Sequence, residues 1–167
     1  STLPRMLEAL VALKRPDYGC EFIFVDNAST DGSAEIIAGY GDRLPITKLE
    51  ERTQGKNHAV SKALTVARGD LILFTDDDIV PNDDWLIEYE KAAIRYAETG
   101  FFAGQVRHYW IKKPPRWLEE LSAEGMAFAG TSVKLPAGPV RAHQIKGPNF
   151  LVRRKIVDLY PFNPNIG

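Results

Sequence analysis

Two hydrophobic rhythms alternate along this chain. Leu7, Leu10, Val11 and Leu13 fall on one helical face, with Ser1 and Thr2 as candidate N-caps, Pro4 in the first turn, and Pro16 and Gly19 as stops. Phe22 to Val25 then form a short, almost wholly apolar run ending on Asp26 and Asn27, which reads as a strand entering a turn. The turn, "NASTDGS", is rich in side chains that bond their own backbone, and it leads into a short helix through Ile36 and Ile37. "PITKLEE" (45–51) reads as a weaker strand. "GKNHAVSKALTVARG" reads as a helix with Ala59, Ala63, Leu64 and Ala67 facing inward, and Leu71 to Thr75 as a third strand. Pro81 and Asn82 open the next helix, "DDWLIEYEKAAIRYAET".

After Gly100 the rhythm loosens. "FFAGQVRHYW" predicts a strand, "PPRWLEELSAEG" a short helix after a Pro-Pro break, and "GTSVKLPAGPVRAHQIKGPNF" an irregular Gly/Pro-rich stretch. "FLVRRKIVDLYPF" closes the pattern with a short strand or turn and a helix. Short apolar strands alternating with helices imply an α/β domain whose central sheet is mostly parallel and covered on both faces. In such sheets ligands collect at the carboxyl ends of the strands.

Composition adds bounds. With 167 residues, 44% hydrophobic and 26% charged, the chain suits one globular domain. A net charge of -1 offers no overall footprint for nucleic acid or an anionic membrane. The lone cysteine, Cys20, excludes an internal disulfide and reads as a small buried thiol in a reducing compartment, hence a cytoplasmic protein. No stretch has the length and apolarity of a membrane span. His58, His108 and His143 show no paired zinc spacing with one another or with Cys20.

The chemistry concentrates where strands end. Asp76, Asp77 and Asp78 follow the third strand directly. Two carboxylates about 4 Å apart repel by roughly 4 kcal/mol at an effective dielectric near 20, so such a cluster needs solvent or a cation. Oxygen ligands suit Mg²⁺ or Mn²⁺, which bind one or two carboxylates together with substrate phosphates. Asp26 and Asn27 end another strand and, in a parallel sheet, share an edge with that triple. Asp83 and Asp84 read instead as first-turn acids of the next helix. Tyr109, Trp110 and Trp117 could stack a sugar, with core packing the competing use.

"VDNASTDGS", "GKNHAVSKALTVARGDLILFTDDD" and "KGPNFLVRR" occur in the order and approximate spacing of the family 2 inverting glycosyltransferases of the GT-A fold, and the chain resembles that family over nearly its whole length. The resemblance implies a single GT-A domain over 1–167, with a nucleotide-binding part (1–100) and an acceptor-side part (101–167). It implies that Asn27, preceded by Asp26, meets the nucleobase, that Lys56 lies near the nucleotide and Asp76 near the ribose, and that Asp78, with Asp76, serves the metal. Asp77 takes the variable place between them. Gly147 and Asn149 resemble the start of the acceptor-side segment, and Arg153 and Arg154 its basic pair.

The family's first strand and its catalytic-base segment have no counterpart between Ser1 and Gly167, so no catalytic residue is assigned. Glu119, Glu120, Glu124 and Asp158 are expected at solvated helix positions. The implied reaction moves a sugar, with inversion, from a UDP- or dTDP-sugar to a saccharide or lipid-linked acceptor in polysaccharide or glycoconjugate synthesis, with Mg²⁺ or Mn²⁺ bound. The implied location is cytoplasmic, extending to the inner face of a membrane. Three rivals stand beside it. One is a sugar-nucleotide-binding domain without turnover. Another is a phosphoacceptor domain, whose acidic pair and lysine are not in the required order. The last is a Rossmann dehydrogenase, for which no G-x-G-x-x-G follows a strand.

Overall fold

The computed structural model describes residues 2–163, so Ser1 and its proposed cap lie outside the described residues. Helix α1 (Leu3–Ala12) begins with Pro4 in its first turn, where a missing N–H leaves no bond unmade. Leu3, Met6, Leu7 and Leu10 form its buried stripe. They pack with Leu13, with Ile37 of α2 (Ser33–Ala38) and with Leu44, and half-buried Phe22, Phe24, Ile46, Trp85 and Leu86 pack around them. This is the main core.

Strand β1 (Phe22–Asp26) pairs in parallel with β2 (Ile46–Glu50), in register from Phe22 with Ile46 to Asp26 with Glu50. Helix α3 (Lys56–Leu64) packs over β1. A second sheet holds β3 (Leu71–Phe74), β4 (Phe101–Ala103) and β5 (Phe150–Arg153) in the order β3-β5-β4. Here the pairing is antiparallel, against the mostly parallel expectation, while the α/β class holds. The chain leaves β4 at Ala103 and returns at Phe150, its register partner, so β5 has to run back along β4.

β4 stops after three residues although apolar character continues to Trp110. Gly104 donates its N–H to the Asn149 carbonyl (3.1 Å), and the chain then turns to pair Val106 with Thr131. Helix α4 (Trp85–Arg95) starts later than Pro81 suggested. Asp83 does not cap it: its carboxylate pairs with Lys14 Nζ (2.8 Å) and its carbonyl accepts the Lys14 N–H (2.7 Å), fixing the loop after α1 to the approach to α4. Helix α5 (Arg116–Ala123), a 3₁₀ turn (Ala142–Gln144) and α6 (Arg154–Leu159) complete the described residues.

Candidate donor-binding site

β1 and β3 both border a cleft of about 1660 Å³, walled by apolar side chains such as Phe24, Ile72 and Phe74. Its lining also includes Asp26, Ser29, Lys56, Asp76, Asp77 and Asp78, so the structure brings the two polar strand ends together. Asp76 is half-buried, whereas Asp77 and Asp78 are exposed in the turn that follows. Lys56 Nζ makes an ion pair with Asp76 Oδ1, carried to it by the first turn of α3.

The base-side loop is held differently from the sequence reading. Asn27 Nδ2 donates to the carbonyls of Glu51 (2.9 Å) and Thr53 (2.7 Å), and Oδ1 accepts the Gly55 N–H (2.8 Å). Both amide donors are thus committed to the loop 51–55 that leads into α3, which leaves one oxygen lone pair for anything else. Gly55, at φ +136°, makes the turn. Asp26 Oδ1 accepts the Ser29 N–H (3.0 Å), and bonding from Ser29 keeps this carboxyl below the usual aspartate range. Glu51 likewise accepts the Thr53 N–H (2.8 Å), which lowers its pKa.

On the other side, a side chain at Gly147 would reach only ordinary contact with Lys56 Nζ, at 3.7 Å, so this segment borders the site. Asn149 faces inward. Its Oδ1 accepts from Trp85 Nε1 (2.9 Å) and the Tyr89 hydroxyl (2.8 Å), and its Nδ2 donates to the Gln105 carbonyl (2.9 Å). It is 7% exposed. It therefore ties β5 to α4 rather than offering an amide to a ligand. Burial raises the pKa of Tyr89, keeping the hydroxyl a donor. Sequence reasoning missed Trp85 and Tyr89 as polar partners. The signal was there, because a buried indole N–H and phenol need acceptors.

Arg153 and Arg154 are not at this site. Arg153 pairs with Leu71 at the far end of β3, whereas Phe150 pairs with Phe74 beside the aspartates. The Arg153 guanidinium bonds carbonyls of Ala93 (2.7 Å) and Thr99 (2.8 Å), closing the end of α4. That of Arg154 bonds carbonyls of Ala67 (2.8 Å) and Gly69 (2.9 Å). Both arginines read in the sequence as an acceptor-side pair are committed to backbone. Core packing also fails for Tyr109 and Trp117, which are 70% and 61% exposed. Trp110 is half-buried against His108 and Phe128.

Among the described residues no three His, Cys, Asp or Glu side chains converge as a metal cluster. The aspartate turn nevertheless fits a hard divalent ion. Its donors are carboxylate oxygens, two of the three aspartates are open to solvent, and Mg²⁺ or Mn²⁺ takes most of its shell from phosphate and water.

The model of the family described as "Glycosyl transferase family 2" matches residues 1–160. The chain belongs to that family. Among curated relatives it is 34% identical over 82 residues to a dolichyl-phosphate beta-glucosyltransferase, ALG5C, of Trichomonas vaginalis, covering 48% of this chain and 24% of that protein. It is 29% identical over 101 residues to the glycosyltransferase AglE of Haloferax volcanii, covering 59% and 32%. The chain thus spans about a quarter to a third of these relatives. Among solved structures it matches the mannosyltransferase PcManGT of Pyrobaculum calidifontis in complex with GDP-Man and Mn²⁺, with a TM-score of 0.67 at 24% identity over 99% of this chain and 45% of that one. It also matches S. aureus TarS in complex with UDP-GlcNAc, with a TM-score of 0.70 at 20% identity over 93% and 42%. The fold of this family 2 domain is that of these glycosyltransferases.

Proposed function

We propose that this family 2 domain binds a nucleotide-diphospho-sugar in the cleft between β1 and β3, with Mg²⁺ or Mn²⁺ at Asp78 and Asp76, for transfer of the sugar with inversion to an acceptor hydroxyl. One observation carries the reading: the acidic ends of β1 and β3 open into one cleft, with Lys56 already drawn onto Asp76. Unaided, the aspartates repel a diphosphate. Lys56 lowers that repulsion, and it can turn from Asp76 to a phosphate oxygen when a cation takes its place on the carboxylate. When bound, the cation stabilises the charge that develops on the diphosphate leaving group.

Asn27 acts in this reading as a positioning residue. By bonding the Glu51, Thr53 and Gly55 backbone it shapes the wall against which the base lies, and the preference for UDP or dTDP rests on that loop. Inversion requires attack on the anomeric carbon from the face opposite the leaving group, with a carboxylate taking the acceptor proton. The acceptor is a saccharide or a lipid-linked one, entering from the side of Gly147, in polysaccharide or glycoconjugate synthesis.

Calorimetry of UDP, dTDP, GDP and ADP with excess Mn²⁺ and then EDTA tests the donor site. Binding should weaken on chelation, and Asp78→Ala should abolish most of that difference. Equal affinity in Mn²⁺ and EDTA would refute the metal role. A second reading, donor binding without transfer, is supported by the four carboxylates of residues 101–163. Glu120 and Glu124 pair with Arg116 and Lys134, and Glu119 and Asp158 lie exposed on helices. Sugar transfer by this chain to any acceptor in a panel would exclude it.

A further inference from the structure

The cleft between β1 and β3 follows strand edges rather than a sheet face. Successive side chains of a strand point to opposite faces, so a cleft lying on one face meets only every second residue. This one touches all five residues of β1 and all four of β3, but only Leu151 of β5. It runs the whole length of both strands, from Cys20 and Gly69 at the amino ends to Asp26 and Asp76 at the carboxyl ends. β1 is paired with β2 and β3 with β5, each along one edge, and among the described residues no ladder uses the other edge of either strand. Alternate residues of both strands therefore turn their N–H and C=O groups into the cleft.

Helices enclose the same space. Phe22 and Phe24 pack into the α1 core with Trp85 and Leu86 of α4, which leaves Ile23 and Val25 on the side of α3. Leu3 and Leu10 of α1 and Val60 and Ala63 of α3 also reach the cleft. Even so, every residue of β1 and β3 is only half-buried, whereas Leu151 and Val152 of β5, which has neighbours on both edges, are buried. An occupant has to meet two demands at once: apolar walls on both faces, and a row of backbone donors and acceptors along each side. A nucleotide suits only the acidic mouth. An acyl chain would cover the walls yet leave the N–H and C=O groups without partners in a dry cleft. An extended apolar polypeptide meets both demands, residue by residue.

We propose that one extended, apolar polypeptide segment inserts between β1 and β3, pairs with both edges, and joins the two-stranded and three-stranded sheets into a single sheet of six. Five residues of strand, the length of β1, span about 17 Å. Because helices cover both faces, the segment is apolar at consecutive positions instead of alternating. The aspartate turn lies past Phe74, where β3 ends, so the mouth remains open to a donor. Neither nucleotide nor metal is needed for insertion, so the donor reading and this one fail separately.

Cys20, at the amino end of the cleft, can hold a probe there. The full chain is mixed with the peptides CKVIVIVTK and KVIVIVTKC, each carried as a mixed disulfide with mercaptoethanol, which the Cys20 thiol displaces. With one of the two, the one whose direction fits, amide hydrogen exchange across 22–26 and 71–74 should slow together by about ten-fold or more, and the urea midpoint should rise. The proline versions CKVPVPVTK and KVPVPVTKC offer the same thiol but lack alternate N–H donors, and should leave exchange unchanged. No slowing with either strand peptide, slowing of one strand only, or equal slowing by a proline peptide would overturn the proposal. Protection of both strands in the free chain, together with a dimer in light scattering, would overturn it too, by assigning the edges to a second copy.

Discussion

Removing the amide of Asn149 should cost far more stability than an average polar substitution. In Asn149→Ala the Trp85 indole N–H and the Gln105 carbonyl each lose their side-chain partner, while the Tyr89 hydroxyl keeps the Asn149 carbonyl at 3.1 Å. The half-buried Trp85 N–H left unpaired costs roughly 1–3 kcal/mol, while water can replace the partner lost by the carbonyl of the exposed Gln105, so the expected loss is about 1–3 kcal/mol. Gly104 supplies an internal check. A Cβ there would fall inside van der Waals contact of the Asn149 amide, so Gly104→Ala alone is also destabilising. Deleting the amide makes room for that methyl group. The double variant should therefore be more stable than the sum of the single losses implies, by about 1 kcal/mol or more. Urea denaturation of the four proteins measures the cycle. A loss below about 0.5 kcal/mol in Asn149→Ala, or strict additivity with Gly104→Ala, would refute the network as the link between β5 and α4.

Further outcomes are expected from the same geometry. Arg154→Ala should lower the urea midpoint, because the Ala67 and Gly69 carbonyls lose their donors, yet leave nucleotide affinity unchanged; a calorimetric loss of UDP or GDP binding at unchanged stability would return this arginine to the site. Glu8 is held at a pKa of about 2 by Arg43, with Tyr40 also donating. A depressed carboxyl stabilises the fold above its ordinary pKa and loses that effect as pH falls through the folded value, so the melting temperature should drop between about pH 4.5 and 2, and less so in Arg43→Ala. Gly125 sits at φ +74° with the Ser132 N–H group close behind it, so Gly125→Ala should be destabilising by over about 1 kcal/mol, seen as a lower urea midpoint and faster hydrogen exchange through residues 126–133.

Local pattern alone located most elements here. The stripe of Leu7, Leu10 and their neighbours, the apolar runs at 22–25 and 71–74, the weaker strand at 46–50, and the acids after the two apolar runs follow from side-chain periodicity and turn chemistry, which act over a few residues. Only the family resemblance set Lys56 and the aspartates at one nucleotide site; their ion pair came with the structure, in which a helix start and a strand end open on the same side. What tertiary structure decided is where long-range pairing goes. The direction of β5 depends on the route of the chain between Ala103 and Phe150, which no local window contains. Asn27, Asn149, Arg153 and Arg154 are polar side chains able to bond either a ligand or backbone. Each found carbonyls and N–H groups more than 20 residues away, brought into reach only by the packed strands and helices. A sequence states which groups can form hydrogen bonds; the fold, by desolvating some backbone groups and leaving others in water, selects the partners.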